Sequence, residues 1–454
     1  MTNMEKKENI RELAVEMVKE ISAGKEYSHI LIKNVLDKYA YLPVHDRAFL
    51  KKVTEGTIER QITIDYVLNQ FSKVPVNKMK PFIRSLMRTS VYQILYLDKV
   101  PDSAVCNEAV KLAGKRGFST LKGFVNGVLR NVSRGKDAIT WPDRTKELFR
   151  ALSIQYSMPE SIVKLLLSQY GEQMAEEILK GYLVERPVCV RVSEQLTKEQ
   201  KDSVLNNWEK SGVRVNPHPW LSYAYELSQT GNLMDDSNFV NGYYTVQDIS
   251  SMLISEIAGI KDGDYVIDVC SAPGGKALHA CDKLNGNGRV DARDVTDQKT
   301  ELILANKERM KAANLTVKVW DARVKDTDVI EKADVVLLDI PCSGLGVIGR
   351  KPEIRYRLSE ESFTELSVLQ MEIADTVWEY VKPGGTLIYS TCTLRKEENE
   401  QMVQYLIQKY HFALESLDPY LCEELQNEDT KKGYLTLIPG EKSDGFFMAK
   451  LVRL

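Results

Sequence analysis

The 454-residue sequence lacks both a long apolar run and a dense set of cysteines. A transmembrane helix is predicted from about 18 consecutive apolar residues, and no stretch of this sequence approaches that length. The first ten residues, MTNMEKKENI, are polar and mixed in charge rather than basic and then apolar. They therefore do not predict a secretory signal. We expect a cytoplasmic protein that does not bind a membrane.

The seven cysteines are scattered between Cys106 and Cys422, and no two of them form a CxxC pair. Structural zinc sites usually contain such pairs, so neither zinc nor any other metal is predicted. Small secreted proteins instead contain many closely spaced cysteines joined as disulfides. Reduced thiols, some of them reactive, are the better interpretation here.

The sequence also has little net charge, −3 overall, but that charge is unevenly distributed. Residues 1–140 contain 24 basic and 15 acidic side chains, and most of the excess lies in residues 73–136, with 13 basic and 3 acidic. Such a basic region favours contact with the phosphates of a nucleic acid. A solvated helical surface is the alternative explanation.

Apolar spacing divides the chain into three predicted parts. Residues 1–140 show helical periodicity and almost no strand pattern. Residues 141–238 contain both helix and strand patterns, with predicted strands at 187–193 and 213–218 and a predicted helix at 197–212. In residues 239–454 short apolar runs alternate with helical segments, which is typical of a parallel sheet covered by helices on both faces. The predicted strands of this third part are 265–270, 289–294, 316–320, 334–339 and 385–391.

A glycine turn follows the first strand of the third part, in the sequence DVCSAPGGKALHA (268–280). Gly274 and Gly275 allow a ligand to approach the backbone closely, and Asp294 at the end of the next strand can accept hydrogen bonds from ribose hydroxyls. NAD is one ligand that fits this pattern. Because the full GxGxxG fingerprint for a pyrophosphate is missing, S-adenosylmethionine is favoured.

Two further acidic residues, Asp321 and Asp339, end the third and fourth strands. Ligands of such sheets bind beyond the carboxyl ends of the strands, so these side chains are candidates for the ribose, the adenine amino group and the methionine ammonium. A single aspartate at a strand end is usually a helix cap. Three of them beside a glycine turn favour a cofactor site.

Two cysteines, Cys342 and Cys392, follow strands that we expect to be neighbours, so both should face one crevice. Carbon 5 of cytosine becomes nucleophilic only when a thiolate adds to carbon 6, and cysteine is suited to that step. A helix predicted to begin near Arg395 would help to lower the thiol pKa of Cys392. A protonated Asp339 could offset the charge on the ring by a hydrogen bond at ring nitrogen 3. The other cysteine could assist expulsion of the thiolate.

These motifs resemble those of the RNA 5-methylcytosine methyltransferase family. The resemblance is carried by DVCSAPGGK, DIPCSGLG (339–346), STCTL (390–394) and GFFMAKL (445–451). It implies that Cys392 is the nucleophile, that Cys342 aids product release, and that S-adenosylmethionine is the cofactor. The cofactor residues that it implies are Cys270, Ser271, Ala272, Pro273, Gly274, Gly275, Lys276, Asp294, Asp321 and Asp339. Ser271 stands where the family commonly has alanine.

The first part of the chain is similar to the NusB-type RNA-binding domain, through HDRAFLKKVTEGTIER (45–60), YQILYLDKVPDSAVCNEAVKLA (92–113) and GFVNGVLRNV (123–132). The resemblance therefore implies an all-α NusB-like domain, a small α+β linker region and a C-terminal α/β Rossmann-like class I methyltransferase domain. This combination resembles bacterial methyltransferases of small-subunit (16S) ribosomal RNA, which makes that RNA the expected partner.

Three alternatives remain open. The same chemistry could act on another RNA such as tRNA. The chain could be a non-catalytic RNA-binding protein of NusB type, although both cysteines and all three aspartates are present. A dehydrogenase that binds a dinucleotide has the same general fold. The sequence does not name the target cytosine, because bases are recognised through contacts spread over several domains.

Overall fold

The computed structural model describes residues 8–454 and divides them into two compact units. The first comprises the described residues up to Leu183 together with Ile348–Arg357, and the second comprises Val184–Val347 and Leu358–Leu454. The polar start of the chain, residues 1–7, lies outside the described residues. Within residues 8–454, no helix has the length and apolar character needed to cross a membrane.

The first unit is helical, which confirms the prediction for this part of the chain. Its helices are α1 (Ile10–Ser22), α2 (Ser28–Lys38), α3 (Val44–Glu59), α4 (Gln61–Phe71), α5 (Pro81–Tyr96), α6 (Asp102–Lys115), α7 (Lys122–Gly135), α8 (Leu148–Tyr156) and α9 (Glu160–Gly181). Helix α9 is kinked at Gly171, where φ is 75°. Helical spacing buries one face of each amphipathic helix, as in α1, where Met17, Val18 and Ile21 are buried.

A short segment from later in the chain, Ile348–Arg357, packs among these helices. The buried carboxylate of Glu353 accepts hydrogen bonds from Ser28 N (2.9 Å) and Ser28 Oγ (2.6 Å). Arg355 donates to the carbonyls of Glu59 and Ser157, at 3.1 and 2.8 Å. The sequence analysis did not predict this placement.

The second unit begins with a small antiparallel sheet in the order β2-β3-β1-β4. Its elements are β1 (Val188–Val192), α10 (Lys198–Lys210), β2 (Arg214–Pro217), β3 (Ala224–Ser228) and β4 (Tyr244–Val246). The strands predicted at 187–193 and 213–218 and the helix predicted at 197–212 are confirmed. The second unit begins at Val184. The three-part division of the chain stays a prediction.

The rest of the second unit is a large sheet with helices on both faces. Its strands are β5 (Tyr265–Asp268), β6 (Arg289–Asp294), β7 (Leu315–Val319), β8 (Ala333–Asp339), β9 (Val381–Thr391), β10 (Phe412–Leu414), β11 (Tyr434–Leu437) and β12 (Phe446–Arg453). Its helices are α11 (Ser237–Val240), α12 (Ile249–Ala258), α13 (Gly275–Lys283), α14 (Asp297–Met310), α15 (Glu360–Val377), α16 (Glu400–Tyr410) and α17 (Glu428–Lys432). The strand order is β10-β12-β9-β8-β5-β6-β7, and β11 pairs with β12.

Strands β5 to β9 are parallel and β12 is antiparallel to β9, which confirms the predicted Rossmann-like sheet. Strand β9 starts four residues earlier than predicted, because Val381 pairs with Ala333 before a register shift. Parallel strands present their carboxyl ends at one edge. Asp268, Asp294 and Asp339, the last residues of β5, β6 and β8, therefore share that edge.

Candidate active site

The glycine turn connects β5 to α13 and is fixed by hydrogen bonds to its backbone. Gly274 has a φ of 100°, and a Cβ atom there would lie 3.1 Å from Cγ2 of Ile303. Glycine is suited to both constraints. Ala272 N donates to Asp294 Oδ2 at 2.9 Å, and Asn306 Nδ2 donates to the Pro273 carbonyl at 3.1 Å. The turn is therefore held close to the end of β6.

Asp294 is buried and already has several hydrogen-bond donors. Besides Ala272 N, its carboxylate accepts from Val295 N at 2.8 Å and Lys299 Nζ at 2.9 Å. Asp321 is more exposed and pairs with Arg323, whose hydrogen bonds lower the pKa of its carboxyl. Both aspartates lie at the predicted edge. Their contact with ribose or adenine stays a prediction.

Asp268 is a site residue that the sequence analysis missed. It is 0% exposed, and neither carboxylate oxygen has a hydrogen-bond partner among the described residues. Burial raises the pKa of its carboxyl to about 7, while nearby Lys276 and the hydroxyl of Ser271, which is close but outside hydrogen-bonding geometry, oppose the shift. A buried acid without a partner is costly unless a ligand supplies one. An acidic residue inside the apolar run YVIDVC was the available signal.

Lys276 and Asp339 form an ion pair at the centre of the site. Lys276 Nζ lies 2.6 Å from Asp339 Oδ2, and Ser390 Oγ donates to Asp339 Oδ1 at 2.9 Å. Burial lowers the pKa of Lys276, but the charge and hydrogen bond of Asp339 outweigh it and raise the pKa overall. As placed, Asp339 accepts hydrogen bonds. The predicted donation by a protonated Asp339 stays a prediction.

The structure brings the two predicted cysteines together. In β8 and β9, Asp339 pairs with Ser390, so the following loops carry Cys342 and Cys392 to the same edge. Their Sγ atoms are 3.2 Å apart, and both side chains are half-buried. The hydrogen bond with Cys392, followed by burial, raises the pKa of Cys342 well above its usual value. Cys342 is thus suited to remain a thiol and Cys392 to accept its proton in a hydrogen bond.

The prediction of a helix starting near Arg395 is wrong, because α16 starts at Glu400. Residues 392–399 form a loop instead. Asn399 Oδ1 accepts from Thr391 Oγ1 at 2.6 Å, and Asn399 Nδ2 donates to the Thr393 carbonyl at 3.1 Å. These side-chain hydrogen bonds compete with helical ones. The α16 N-terminus therefore does not follow Cys392 directly.

Lys276 interacts electrostatically with Cys392, since a charged Cys392 helps to raise the pKa of Lys276. By the same interaction the ammonium favours the Cys392 thiolate. Cys270, in the glycine turn, has the opposite environment. Burial, with the negative charge of Asp268, raises its pKa. Lys299 opposes that shift only in part, so Cys270 stays a thiol, whereas Lys276 favours the thiolate of Cys392.

Two family models match separate parts of the chain. Residues 257–452 match the family model described as 16S rRNA methyltransferase RsmB/F, and residues 8–134 match the NusB family. A Bacillus subtilis protein named as a probable ribosomal RNA small subunit methyltransferase B is 33% identical over 98% of this chain and 99% of its own length. The ribosomal RNA small subunit methyltransferase B of Escherichia coli (O1:K1 / APEC) is 30% identical over 99% of this chain and 100% of its own length.

Among solved structures, the crystal structure of PH0851 is similar, with a TM-score of 0.81 and 24% identity. It covers 98% of this chain and 99% of its own. At that identity the likeness supports the fold alone.

The sheet, the glycine turn and the acidic edge define an S-adenosylmethionine-dependent methyltransferase, here joined to a NusB-type helical domain. More particularly, the chain belongs to the ribosomal RNA small subunit methyltransferase B family, since its relatives match it from end to end.

Proposed function

We propose that this chain methylates carbon 5 of a cytosine in small-subunit (16S) ribosomal RNA through a covalent adduct with Cys392. The observation that carries the proposal is the 3.2 Å contact between Cys342 and Cys392 beside the glycine turn. Methyl transfer to an oxygen or an exocyclic nitrogen needs no thiol pair. Transfer to an unreactive ring carbon needs a nucleophile to activate the ring. The names of the relatives support the choice of RNA.

The residues at the sheet edge fit S-adenosylmethionine. Its methionine ammonium would satisfy the buried Asp268 carboxylate, which has no hydrogen-bond partner among residues 8–454. Gly274 provides the positive φ that the tight turn needs, and the edge also carries Asp294 and Asp321. When bound, the cofactor supplies an electrophilic methyl group. The proposed cofactor residues thus add Asp268 to the set predicted from the sequence.

In the proposed mechanism the Cys392 thiolate adds to carbon 6 of the cytosine, and the ring electrons move toward carbon 5 and nitrogen 3. Lys276 favours the thiolate before attack. Asp339, held by Lys276 and Ser390, is positioned to contact the ring. After carbon 5 has been methylated, its proton leaves to a base and the bond between sulfur and carbon 6 breaks. Cys342, kept protonated, lies against the sulfur that must depart and can donate to it.

Sequencing of bisulfite-treated RNA tests this proposal. Ribosomal RNA from cells with and without the gene should differ at one small-subunit cytosine, which resists conversion only when the gene is present. A protected cytosine in tRNA instead would support the alternative substrate. Unchanged protection in both RNAs would contradict carbon 5 methylation and leave the non-catalytic RNA-binding role.

Asp268→Asn should stabilise the cofactor-free protein at pH 8 and weaken cofactor binding. The folded-state pKa of Asp268 is raised to about 7, so the folded protein binds the proton more tightly than the unfolded chain does. Stability therefore falls as pH rises from the ordinary aspartate value of about 4 to about 7, and asparagine removes that loss. Thermal unfolding from pH 4 to 8 measures the first effect, and calorimetric titration of S-adenosylmethionine measures the second.

Asp291→Asn is a matched control, because Asp291 is a buried aspartate of the neighbouring strand β6 that already accepts from Tyr265. It should lack the stabilisation at pH 8. If Asp268→Asn bound the cofactor as tightly as the unchanged protein, Asp268 would not contact it.

The basic region 73–136 should bind RNA mainly through phosphates. Five of its thirteen basic side chains form ion pairs: Arg88, Lys111, Lys115, Arg116 and Lys136. The other eight form none with a described residue, and three of these, Lys78, Lys80 and Arg84, lie around the start of α5. Replacing these three with glutamine should weaken RNA binding and reduce the salt slope, log Kd against log salt, by roughly 2.

A filter-binding series over salt concentration measures this slope. Lys111→Gln serves as the control, because Lys111 already pairs with Glu108 at 2.8 Å and should contribute less. RNA affinity that did not depend on salt in the unchanged protein would contradict the electrostatic role of this region.

A further inference from the structure

Glu398 is a fully buried acid in the loop that follows Cys392, with 0% exposure. Its Oε2 atom accepts hydrogen bonds from Ser343 N at 2.9 Å and from Gln370 Nε2 at 2.9 Å. Gln370 also donates to the Pro341 carbonyl at 2.9 Å. One carboxylate oxygen thus connects the loop after β9, which carries Cys392, to the loop after β8, which carries Cys342.

Other hydrogen bonds hold the same two loops together and fix the backbone of Glu398. Ser343 Oγ and Thr393 Oγ1 are 2.7 Å apart, and Gly346 N donates to the Cys392 carbonyl at 2.9 Å. Tyr389 OH donates to the Glu398 carbonyl at 2.5 Å. Among these contacts, Glu398 is the one that brings a negative charge to the cysteine pair.

We propose that Glu398 is a positioning residue for the cysteine pair, holding the two loops in register and making Cys342 the member of the pair that keeps its proton. A buried negative charge disfavours a second one nearby, so it opposes ionisation of Cys342. The opposing cation, Lys276, interacts with Cys392. An acid hydrogen-bonded to the backbone directly after Cys342 and a cation that interacts with Cys392 give the two thiols different protonation. The use of this difference in catalysis rests on the proposed function.

Among residues 8–454, three other titratable side chains lie beside Cys342 or Glu398. Cys392 contacts Cys342 directly. Tyr389 is buried and neutral, because burial raises its pKa. Arg395 Nη1 lies 3.9 Å from Glu398 Oε1, which has no hydrogen-bond partner among the described residues. Arg395 therefore offsets part of the acid's charge without a hydrogen bond to that oxygen.

Glu398→Gln removes the negative charge and keeps the hydrogen bonds that connect the two loops. Glutamine has the same shape, its carbonyl oxygen can accept from Ser343 N and Gln370, and its amide nitrogen can take the place of Oε1, which accepts no hydrogen bond from a described residue. The full-length protein is used with Cys392→Ala in all variants, so that Cys342 lacks its sulfur partner throughout. The rate at which iodoacetamide alkylates Cys342 is followed against pH by peptide mass spectrometry. Glu397→Gln is the control, because it removes the same charge from a side chain that is 35% exposed.

We expect Glu398→Gln to lower the pH midpoint of Cys342 alkylation by about one unit, a tenfold higher rate below both midpoints. Glu397→Gln should leave the midpoint unchanged. A midpoint that does not move in Glu398→Gln overturns the inference, even if the variant melts at a lower temperature. If the glutamine variant does not fold, Glu398→Asp serves as a second test. It keeps the negative charge, so the pH midpoint of Cys342 alkylation should stay high. A midpoint lowered in Glu398→Asp as well would overturn the inference.

This measurement contains no RNA, so its result is independent of the proposed function. The bisulfite experiment tests the proposed function. A shifted alkylation midpoint supports the role of Glu398 whichever base is methylated.

Discussion

Cys392→Ala should abolish methyl transfer and any covalent complex with RNA, while Cys342→Ala should accumulate that complex. Without Cys392 the site loses the thiol that interacts with Lys276, and the two other thiols of the site, Cys342 and Cys270, both have raised pKa values. Without Cys342 the Cys392 thiolate can still add. The thiol that lies 3.2 Å from the departing sulfur is missing, however, so release should be slow.

Denaturing electrophoresis of protein incubated with labelled RNA and S-adenosylmethionine measures the adduct as a slower band. The band should appear with Cys342→Ala and be absent with Cys392→Ala and with the double variant. Cys422→Ala is the control, since Cys422 is a half-buried cysteine in neither active-site loop and should leave turnover unchanged. A band with Cys392→Ala and none with Cys342→Ala would show that the two roles are reversed.

The strands that position this site were predictable because they are buried runs between turn formers. Strand β6 was predicted at its observed bounds, and β8 differs by one residue. In a parallel sheet the ends of such strands meet at one edge, so Asp339 and both cysteines could be placed together from sequence. The residues at this edge can therefore be predicted from the apolar runs and from the rule that parallel strands end at one edge of the sheet.

Contacts between residues that are far apart in the sequence were not predictable in this way. The segment Ile348–Arg357 reads as a charged loop, yet Glu353 and Arg355 are buried by specific hydrogen bonds to distant residues. The prediction of a helix beginning near Arg395 was wrong for a related reason. Hydrogen bonds of the Asn399 side chain stabilise a loop conformation there instead of a helix. Polar side chains that bond to the backbone change local structure without changing the apolar pattern.

The source of positive charge at Cys392 was also hidden from the sequence. Lys276 belongs to the glycine turn, and only the fold brings it to Asp339 and Cys392. The sequence analysis therefore assigned Lys276 to the cofactor alone. The structure gives it a second role, in which one ammonium pairs with an acid and favours a thiolate.

Lys276→Met should reduce methyl transfer by about two orders of magnitude at neutral pH, an effect of the size expected when a reacting group loses its correct protonation state. Without the ammonium the pKa of Cys392 should rise, so the thiolate fraction falls. Asp339 would lose its cation as well. Its side chain is 24% exposed, so we expect a loss of about 2 kcal/mol of stability, below the about 3–5 kcal/mol for a fully buried pair.

Two variants separate the effect on stability from the effect on the thiol. Lys276→Met combined with Asp339→Asn removes both charges, so it should recover stability without restoring the reactivity of Cys392. Lys299→Met removes a cation that pairs with Asp294 at 2.9 Å and should leave Cys392 unchanged. Iodoacetamide alkylation of Cys392 against pH, in the absence of RNA, reports the thiol directly. If its midpoint were the same in Lys276→Met as in the unchanged protein, another group would have to stabilise the thiolate, and the loss of activity would have to arise through Asp339.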